Sequence, residues 1–500
     1  MAKKKTVCIL CAAAVIILFW AVFLPLVTSS NLRMDSERMI HHPEIALNQY
    51  TREGRIALGW LLQLFGLNRW NPVLSGILWL SFMTCGGLLL YAYLKKMAGW
   101  NQPFLYILFF LLYMLSPIWA FHGYFVLQIA PIGLGMVMTT LLAGEDMLMA
   151  SGMRKLSPAL RACREAAAAA LLCLPVLIYQ ALIVHYLTLA AVFLFCHALR
   201  GRKVSPRALL VIALRLLVCL AVYSIVSRVA RAGADAANLE GQIHWGRDSL
   251  LHCLFRIIQE AGATVLMYGS RFFSLYTPGI ILGCILCVRR WKEPGRSRES
   301  RLLLAASGIG LLLLPFAMAI FLGNVTVPRA QFALQLVGAF LPVCFLAETG
   351  GRSRILRAVC LVAAALQVLL VIRLIHTDNV RNELDVTAGK RISAGLDACS
   401  PEKPIVFIGV LQPEQSLLTE KTDVFGRSFF EWIYTEENPA SAGVPAGRLL
   451  SALTGREYNI VFDGEIIPAA LEAAGTMPVY PDSGFIAETE SFTVVHLSDV

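Results

Sequence analysis

Long runs of apolar residues alternate with short basic and polar clusters over the first three quarters of the chain. A helix of about 20 apolar residues crosses the roughly 30 Å hydrocarbon core of a bilayer. We therefore predict membrane-spanning helices at 7–27, 72–94, 103–121, 124–143, 209–229, 264–288, 302–322, 332–346 and 355–375, besides a longer run at 166–198. The first run exceeds a signal-peptide core and lacks a small-residue cleavage site, which favours an uncleaved helix.

The run at 166–198 decides the predicted topology, because it is too long for one ordinary span. Basic residues crowd both of its flanks, at 154–164 and 200–207. Since basic loops favour the cytoplasmic side, two crossings with an outer turn near Pro175 to Gln180 satisfy the pattern and one crossing does not. The total is then about eleven spans, with a cytoplasmic N-terminus and a tail that lies outside after about His376.

The tail has the pattern of a small folded α/β domain. Short β-branched or alternating runs predict strands, and periodic apolar runs predict helices. The strands are predicted at 404–410, 458–463 and 491–497, and the helices at 446–452 and 466–474. The predicted fold class is an α-helical polytopic membrane protein over 1–376, followed by an extracytoplasmic α/β domain over 377–500.

Composition narrows the function classes. Of the 500 residues, 57% are hydrophobic and 15% are charged, which is too apolar for a water-soluble enzyme. The net charge of +10 sits in short clusters between apolar runs, a pattern typical of membrane orientation and not of a nucleic-acid groove. We expect membrane lipid as a partner and no nucleic acid. The CxxC pair Cys284 and Cys287 lies inside an apolar run, which argues against a metal site.

The predicted first outer loop, 28–71, is the richest in ionisable side chains. Asp35 and Glu37 follow the first helix closely, and such a carboxylate is suited to remove a proton from an acceptor hydroxyl as general base. Arg38 and Arg55 carry guanidinium groups that match phosphate oxygens in a bidentate way. An acidic pair alone is more typical of an ordinary solvated loop, so these residues do not by themselves identify an enzyme.

Three short motifs resemble the bacterial glucosyltransferase II family, whose members modify O-antigens and related surface glycans. The first combines Asp-Ser-Glu-Arg at 35–38 with Tyr50 and Glu-Gly-Arg at 53–55, ahead of a predicted amphipathic helix. The others are the pair Tyr179-Gln180 and the segment Pro-Arg-Ala-Gln at 328–331. The resemblance covers the membrane portion and more loosely the tail. The family is similar to the GT-C class of multi-spanning glycosyltransferases, which use polyprenyl-phosphate sugars.

The resemblance implies roles for the charged candidates. Asp35 is favoured as catalytic base and Glu37 as its partner, but relatives carry adjacent acidic residues where this chain has Asp-Ser-Glu, so the two roles stay open. Arg38, Arg55 and Arg329 are expected to bind the donor phosphate or to organise the loop. For Arg329, a snorkelling residue at a helix start is the alternative.

The polar and aromatic candidates are expected to bind sugar or acceptor. Tyr179 and Gln180 lie at the predicted outer turn, and His244 and Trp245 lie in the second large outer loop. For all of them, interfacial packing and backbone hydrogen bonding are the alternative. No metal ligands and no cofactor are implied, although a divalent metal is compatible with the chemistry.

Together these implications predict an integral-membrane glycosyltransferase of the bacterial cytoplasmic membrane. It moves a sugar, glucose by the resemblance, from a polyprenyl-phosphate donor to a cell-surface glycan on the outer face, where nucleotide sugars are absent. A partner flippase and a donor synthase fit this scheme. Two alternatives stay open. One is a transporter or flippase of lipid-linked glycans, which predicts buried charges and internal repeats; the other is a non-catalytic membrane assembly protein.

Overall fold

The computed structural model describes residues 2–100, 102–154, 157–231, 243–266, 274–414, 417 and 421–499. Most of these residues are helical. The helices are α1 (Ala2–Thr28), α2 (Ser36–His41), α3 (Pro43–Arg52), α4 (Ile56–Leu64), α5 (Pro72–Met97), α6 (Pro103–Met114), α7 (Ile118–Tyr124), α8 (Val126–Ala150), α9 (Pro158–Ile178), α10 (Leu182–Leu199), α11 (Pro206–Arg231), α12 (Leu250–Val265), α13 (Tyr276–Trp291), α14 (Arg298–Leu313), α15 (Ala317–Leu322), α16 (Phe332–Glu348), α17 (Arg354–Leu396), α18 (Gly443–Thr454) and α19 (Ile466–Ala474). The strands are β1 (Ile405–Ile408), β2 (Ile486–Glu488) and β3 (Thr493–His496).

Within the described ranges, six helices are long and apolar enough to cross a membrane. The number is seven if the bent pair α6 and α7 forms one span. The shorter apolar helices Ala12–Thr28, within α1, and α16 add to this set. The protein is therefore a mainly helical polytopic membrane protein, whereas the predicted count of about eleven spans is not confirmed.

Prolines lie near two of the breaks between helices. The helix predicted over 103–121 bends by 45° between α6 and α7, where Pro117 disfavours a helical conformation at Ser116. The run at 166–198 is divided into α9 and α10, as predicted for its turn, and Tyr179 adopts an extended conformation directly after α9. Pro175 lacks the N–H that would continue the helical hydrogen bonding, which weakens the last turn of α9.

Two predicted helix boundaries are wrong. The span predicted over 264–288 does not begin at Thr264, because that residue belongs to α12 and α13 begins at Tyr276. Pro278 is well placed near the start of α13, where a missing N–H costs nothing. The helix predicted over 355–375 does not end at residue 375, because it belongs to α17, which is 43 residues long in total. No proline interrupts the chain before Pro401.

The described chain forms two compact units, and the first comprises Met1–Thr28, Leu47–Leu67 and Asn71–Val371. Within it, α5 packs against α8 and α1. At the contact with α1, a Cβ on Gly76 would lie 2.6 Å from the backbone oxygen of Val27, so only glycine allows this close approach. The buried rings of Phe19, Phe23 and Trp79 fill the adjoining space.

The second unit comprises Ser29–Ala46, Asn68–Trp70 and Ile372–Val500. Its sheet has the order β1-β3-β2, with β3 parallel to β1 and antiparallel to β2. The strand predicted at 458–463 is wrong, since this segment forms a single bridge between Ile460 and Ile405. The run ends directly afterwards at Gly464, whose φ of +90° turns the chain. The predicted division at residue 377 stays a prediction.

Candidate active site

A buried ion-pair cluster holds the start of the predicted first outer loop against α17. Arg33 is almost fully buried, and its Nε donates a hydrogen bond of 2.8 Å to Oδ2 of Asp378. Arg381 donates to the other oxygen of the same carboxylate at 2.6 Å and to the backbone oxygen of Leu32 at 2.7 Å. Burying such charges is costly unless each one is paired and hydrogen-bonded. The cluster therefore fixes the segment that leads into α2.

Asp35 lies at the turn between this anchor and α2. The backbone amide of Arg33 donates to Oγ of Ser36 at 2.7 Å, and the amide of Ser36 donates back to the backbone oxygen of Arg33 at 2.9 Å. The turn gives Asp35 a φ of +70°, a left-handed conformation that Asp and Asn tolerate better than most residues. The tight turn places Asp35 close enough to Glu37 for their charges to repel.

Glu37 is a buried carboxyl group whose pKa is strongly raised. Its side chain is 3% exposed, and its Oε1 lies 3.9 Å from Nε of Arg38 and 4.0 Å from Nη1 of Arg448. Its other oxygen, Oε2, is buried without a hydrogen-bond partner among the described residues. Burial raises the pKa of Glu37 to about 7, and repulsion from Asp35 adds to the rise, while Arg38 and Arg448 oppose it.

Glu37 lines a cleft of about 370 Å³ between α2 and α18. His42 lies on the same wall, with its Nε2 3.3 Å from a carboxylate oxygen of Glu457. The remaining lining mixes hydroxyl, cationic and aromatic groups, which include Arg38, Arg448, Ser451, Tyr458 and Phe462. Apolar residues such as Ile45, Val444 and Ile460 complete the lining, and an apolar lining with a few convergent polar groups is typical of a small-molecule site.

In the first unit, the Glu-Gly-Arg segment at 53–55 is built around the glycine. Gly54 has a φ of +73°, and a Cβ there would lie 2.8 Å from the hydroxyl oxygen of Tyr223. A side chain at this position is therefore excluded both by conformation and by space. Gln180 donates to the backbone oxygen of Glu53 at 2.9 Å and to the same Tyr223 hydroxyl at 2.8 Å. One predicted sugar-binding residue thus stabilises the turn that presents Arg55.

Arg55 is held on three sides. Its Nη1 lies 3.1 Å from a carboxylate oxygen of Glu53 and 3.0 Å from the amide oxygen of Gln128. The guanidinium also lies 5.0 Å from the ring centre of Tyr179, a cation–π distance. Its Nε is buried without a hydrogen-bond partner among the described residues. The guanidinium is thus held in place while one of its buried donors stays unpaired within the described part of the chain.

Arg329 lies on an aromatic surface in the same unit. Its guanidinium is 4.5 Å from the ring centre of Phe125. The positive charge also acts on His122, a buried histidine whose Nε2 has no hydrogen-bond partner in the described part of the chain. The His122 ring packs 4.8 Å from Phe332 and 6.5 Å from Tyr179. Sequence reasoning missed His122, because a lone histidine in an apolar run carries no motif.

His244 and Trp245 make internal contacts in the first unit. His244 contacts Asp248 through Nδ1 at 2.8 Å and the amide of Asn324 through Nε2 at 2.9 Å. Trp245 donates from its indole nitrogen to the backbone oxygen of Ile320 at 2.8 Å. Both ring nitrogens of His244 are therefore occupied, which gives these two residues a structural role in addition to the predicted sugar contact.

The structure groups the predicted site residues into two sets. Asp35, Glu37 and Arg38 belong to the second unit. The others belong to the first unit; they are Arg55, Tyr179, Gln180, His244, Trp245 and Arg329. Within the described ranges, no group of three or more His, Cys, Asp or Glu side chains is arranged to hold a metal ion.

A family comparison decides what class of protein this is. The family model described as Glucosyl transferase GtrII matches residues 24–346, which is more than half of the chain. The chain belongs to this glucosyl transferase family. The family that the sequence motifs suggested is thereby confirmed, and the protein is a glycosyltransferase. No curated protein and no solved structure matches this membrane glycosyltransferase.

Proposed function

We propose that this glycosyltransferase transfers a sugar, with glucose favoured, from a polyprenyl-phosphate donor to a cell-surface glycan. We place the reaction at the outer face of the bacterial cytoplasmic membrane, with a cytoplasmic N-terminus, about eleven spans and an extracytoplasmic C-terminal domain. The observation that carries the proposal is the buried Glu37 carboxyl group, with a pKa of about 7, in a cleft that Arg38, Arg448 and Ser451 also line.

The proposed step is a single displacement with inversion. A carboxylate takes the proton of the acceptor hydroxyl. At the same time the hydroxyl oxygen bonds to the anomeric carbon of the sugar, and the bond from that carbon to the polyprenyl phosphate breaks. A general base works best when its pKa lies near the working pH, and Glu37 meets this requirement. We propose Glu37 as the proton acceptor. Asp35, which the sequence favours for this role, acts as its charged neighbour.

The acceptor is proposed to occupy the cleft that Glu37 lines. Arg448, Ser451 and Glu457 offer donors and acceptors suited to sugar hydroxyls, and Phe462 offers an apolar surface for a sugar ring. Loss of acceptor binding is therefore expected from changes on α18, without loss of donor binding.

Arg55 and Arg329, both in the first unit, are proposed to bind the phosphate group of the donor. Arg55 and His122 each keep a buried nitrogen without a hydrogen-bond partner among the described residues. An anion would accept from the Arg55 Nε, and it would accept from the His122 Nε2 when that nitrogen carries the ring proton. Arg329 adds a second guanidinium near His122. Guanidinium groups match phosphate oxygens in a bidentate way, which suits them to hold a lipid-linked phosphate.

The test measures release of polyprenyl phosphate from a panel of labelled polyprenyl-phosphate sugars, with purified protein in lipid and a cell-envelope acceptor. Glu37→Gln is expected to lower the turnover number about 100- to 10,000-fold. Glu44→Gln is the matched control, because Glu44 is a nearby, 67% exposed carboxylate. Equal activity of Glu37→Gln, Asp35→Asn and the native protein would contradict the proposed base, and no turnover with any donor would contradict the reaction.

A further inference from the structure

A second cavity lies between α1, α5 and α6. It is a groove of about 700 Å³ within the first unit. Its walls are almost entirely apolar, with Phe19, Leu88, Ile107, Phe110 and Met114 among the lining residues. An apolar groove of this size on a membrane protein is suited to a hydrocarbon chain.

The polar groups of this groove gather at one end. Lys95, Tyr91 and Tyr106 line that end, and the Lys95 ammonium lies 5.6 Å from the ring centre of Tyr91. Lys95 forms no ion pair with any described residue. Thr84, further along the groove, is already satisfied, because it accepts from Trp20 and donates to the backbone oxygen of Leu80. The groove thus offers one cationic end and one apolar body.

The length of the groove matches half a bilayer. From Thr84 to Lys95, α5 rises about 16 Å at 1.5 Å per residue, and half of the roughly 30 Å hydrocarbon core is about the same length. Lys95 lies in the last turn of α5 beside Lys96, at the end that the basic-residue pattern predicts to be cytoplasmic.

We infer that this groove binds an anionic phospholipid. One acyl chain lies along α1, α5 and α6, and the phosphate contacts the Lys95 ammonium and the Tyr91 hydroxyl. The complementarity of charge at one end and of apolar length along the rest selects this ligand. The inference does not rest on the proposed function, since the donor sugar is proposed to react at the opposite face of the membrane.

Native mass spectrometry tests the inference directly. The protein is released from phosphatidylcholine vesicles that contain phosphatidylglycerol, and the retained lipid is titrated. Lys95→Ala is expected to weaken phosphatidylglycerol binding about tenfold, because a charge-assisted contact is lost. Lys96→Ala is the matched control and is expected to leave binding unchanged. Gly87→Leu is expected to block the groove, since Gly87 and Met114 both line it and a Cβ at Gly87 would already lie 3.6 Å from Sδ of Met114.

Three outcomes would overturn the inference. Equal loss in both lysine variants would show surface charge only, and equal retention of phosphatidylcholine and phosphatidylglycerol would show ordinary annular lipid only. Displacement of the retained lipid by added polyprenyl phosphate would assign the groove to the donor instead. Thermal unfolding of each variant in detergent shows whether it is folded, and loss of binding by folded Lys95→Ala alone supports the site.

Discussion

The Arg33 guanidinium and the Asp378 carboxylate form an ion pair at 2.8 Å, although 345 residues separate them along the chain. Both side chains are 1% exposed. The pair ties the segment that carries Asp35 and Glu37 to α17 inside one compact unit. The position of the candidate base Glu37 therefore depends on the ion pair between Arg33 and Asp378. Neither of the two sequence segments reveals this contact on its own.

Breaking this pair from one side should be strongly destabilising. Asp378→Asn removes the carboxylate that pairs with the buried Arg33, while Arg381 keeps Asp385 at 3.2 Å, and we expect a loss of about 3 kcal/mol in unfolding free energy. Thermal and denaturant unfolding in detergent measure it. Arg52→Gln is the control, because Arg52 is exposed. Additive losses in the double variant Arg33→Gln, Asp378→Asn would contradict a direct coupling between the two residues.

The rate of sugar transfer should follow the ionisation of Glu37. Since only the deprotonated carboxylate accepts a proton, kcat/KM is expected to rise with pH up to about 7 and then to level off. Asp35→Asn removes a repulsion that raises this pKa, so the midpoint should move to lower pH. A pH profile of both proteins, with a fixed donor concentration, measures the shift. An unchanged midpoint in Asp35→Asn would show that the charge of Asp35 does not affect the ionisation of Glu37.

Glu37 should also cost stability at neutral and alkaline pH. Its folded pKa of about 7 lies above the ordinary 4.5, so the folded state holds the proton more tightly than the unfolded state. The cost appears as pH rises from about 4.5 and is complete above about 7. Glu37→Gln should therefore stabilise the protein by up to about 3 kcal/mol at pH 8 and little at pH 4. Melting curves at both pH values test this, and equal shifts would argue against the raised pKa.

The guanidinium of Arg55 should contribute to donor binding. Arg55→Lys keeps the charge but loses the planar fork on Tyr179, and we expect KM for the polyprenyl-phosphate sugar to rise about 10- to 100-fold. The acceptor KM should stay constant. Arg52→Lys provides the control for a neighbouring exposed arginine. A rise in acceptor KM alone would assign Arg55 to the other substrate.

His244 and Asn324 should act as one structural unit. Asn324→Ala and His244→Ala each remove the same 2.9 Å contact, so each should lower the unfolding free energy by about 1 kcal/mol. The double variant should lose less than the sum of the two. The acceptor KM separates the roles: a rise in His244→Ala that is absent from Asn324→Ala would indicate that His244 also binds sugar.

Local patterns predicted much of the local structure. The helix predicted at 466–474 is α19, and the break near Gln180 follows from Pro175 and from the basic flanks. Such features depend on residues close together in sequence. The length of α17 was missed because apolar content, and not helical continuity, defined the predicted span.

The candidate site was predicted only in part, and for a physical reason. Asp35, Glu37 and Arg55 stand in recognisable motifs, so the sequence pointed to them. Arg448 lies on α18, more than 400 residues from Glu37 along the chain, and only the fold brings its guanidinium to 4.0 Å. His122 has no sequence signal, because its importance lies in burial and in its aromatic neighbours.

The left-handed turn at Asp35 has a consequence for mutagenesis. Among the described residues, only Asp35 and Asp423 are non-glycine residues with positive φ. Alanine at position 35 would add a backbone penalty of about 1–2 kcal/mol to the loss of the carboxylate, so an alanine scan would report two effects as one. Asparagine keeps the turn and removes the charge, and glycine keeps the turn and removes the side chain. Comparing the asparagine and glycine variants with the native protein therefore separates the effect of the backbone turn at position 35 from the effect of the carboxylate charge.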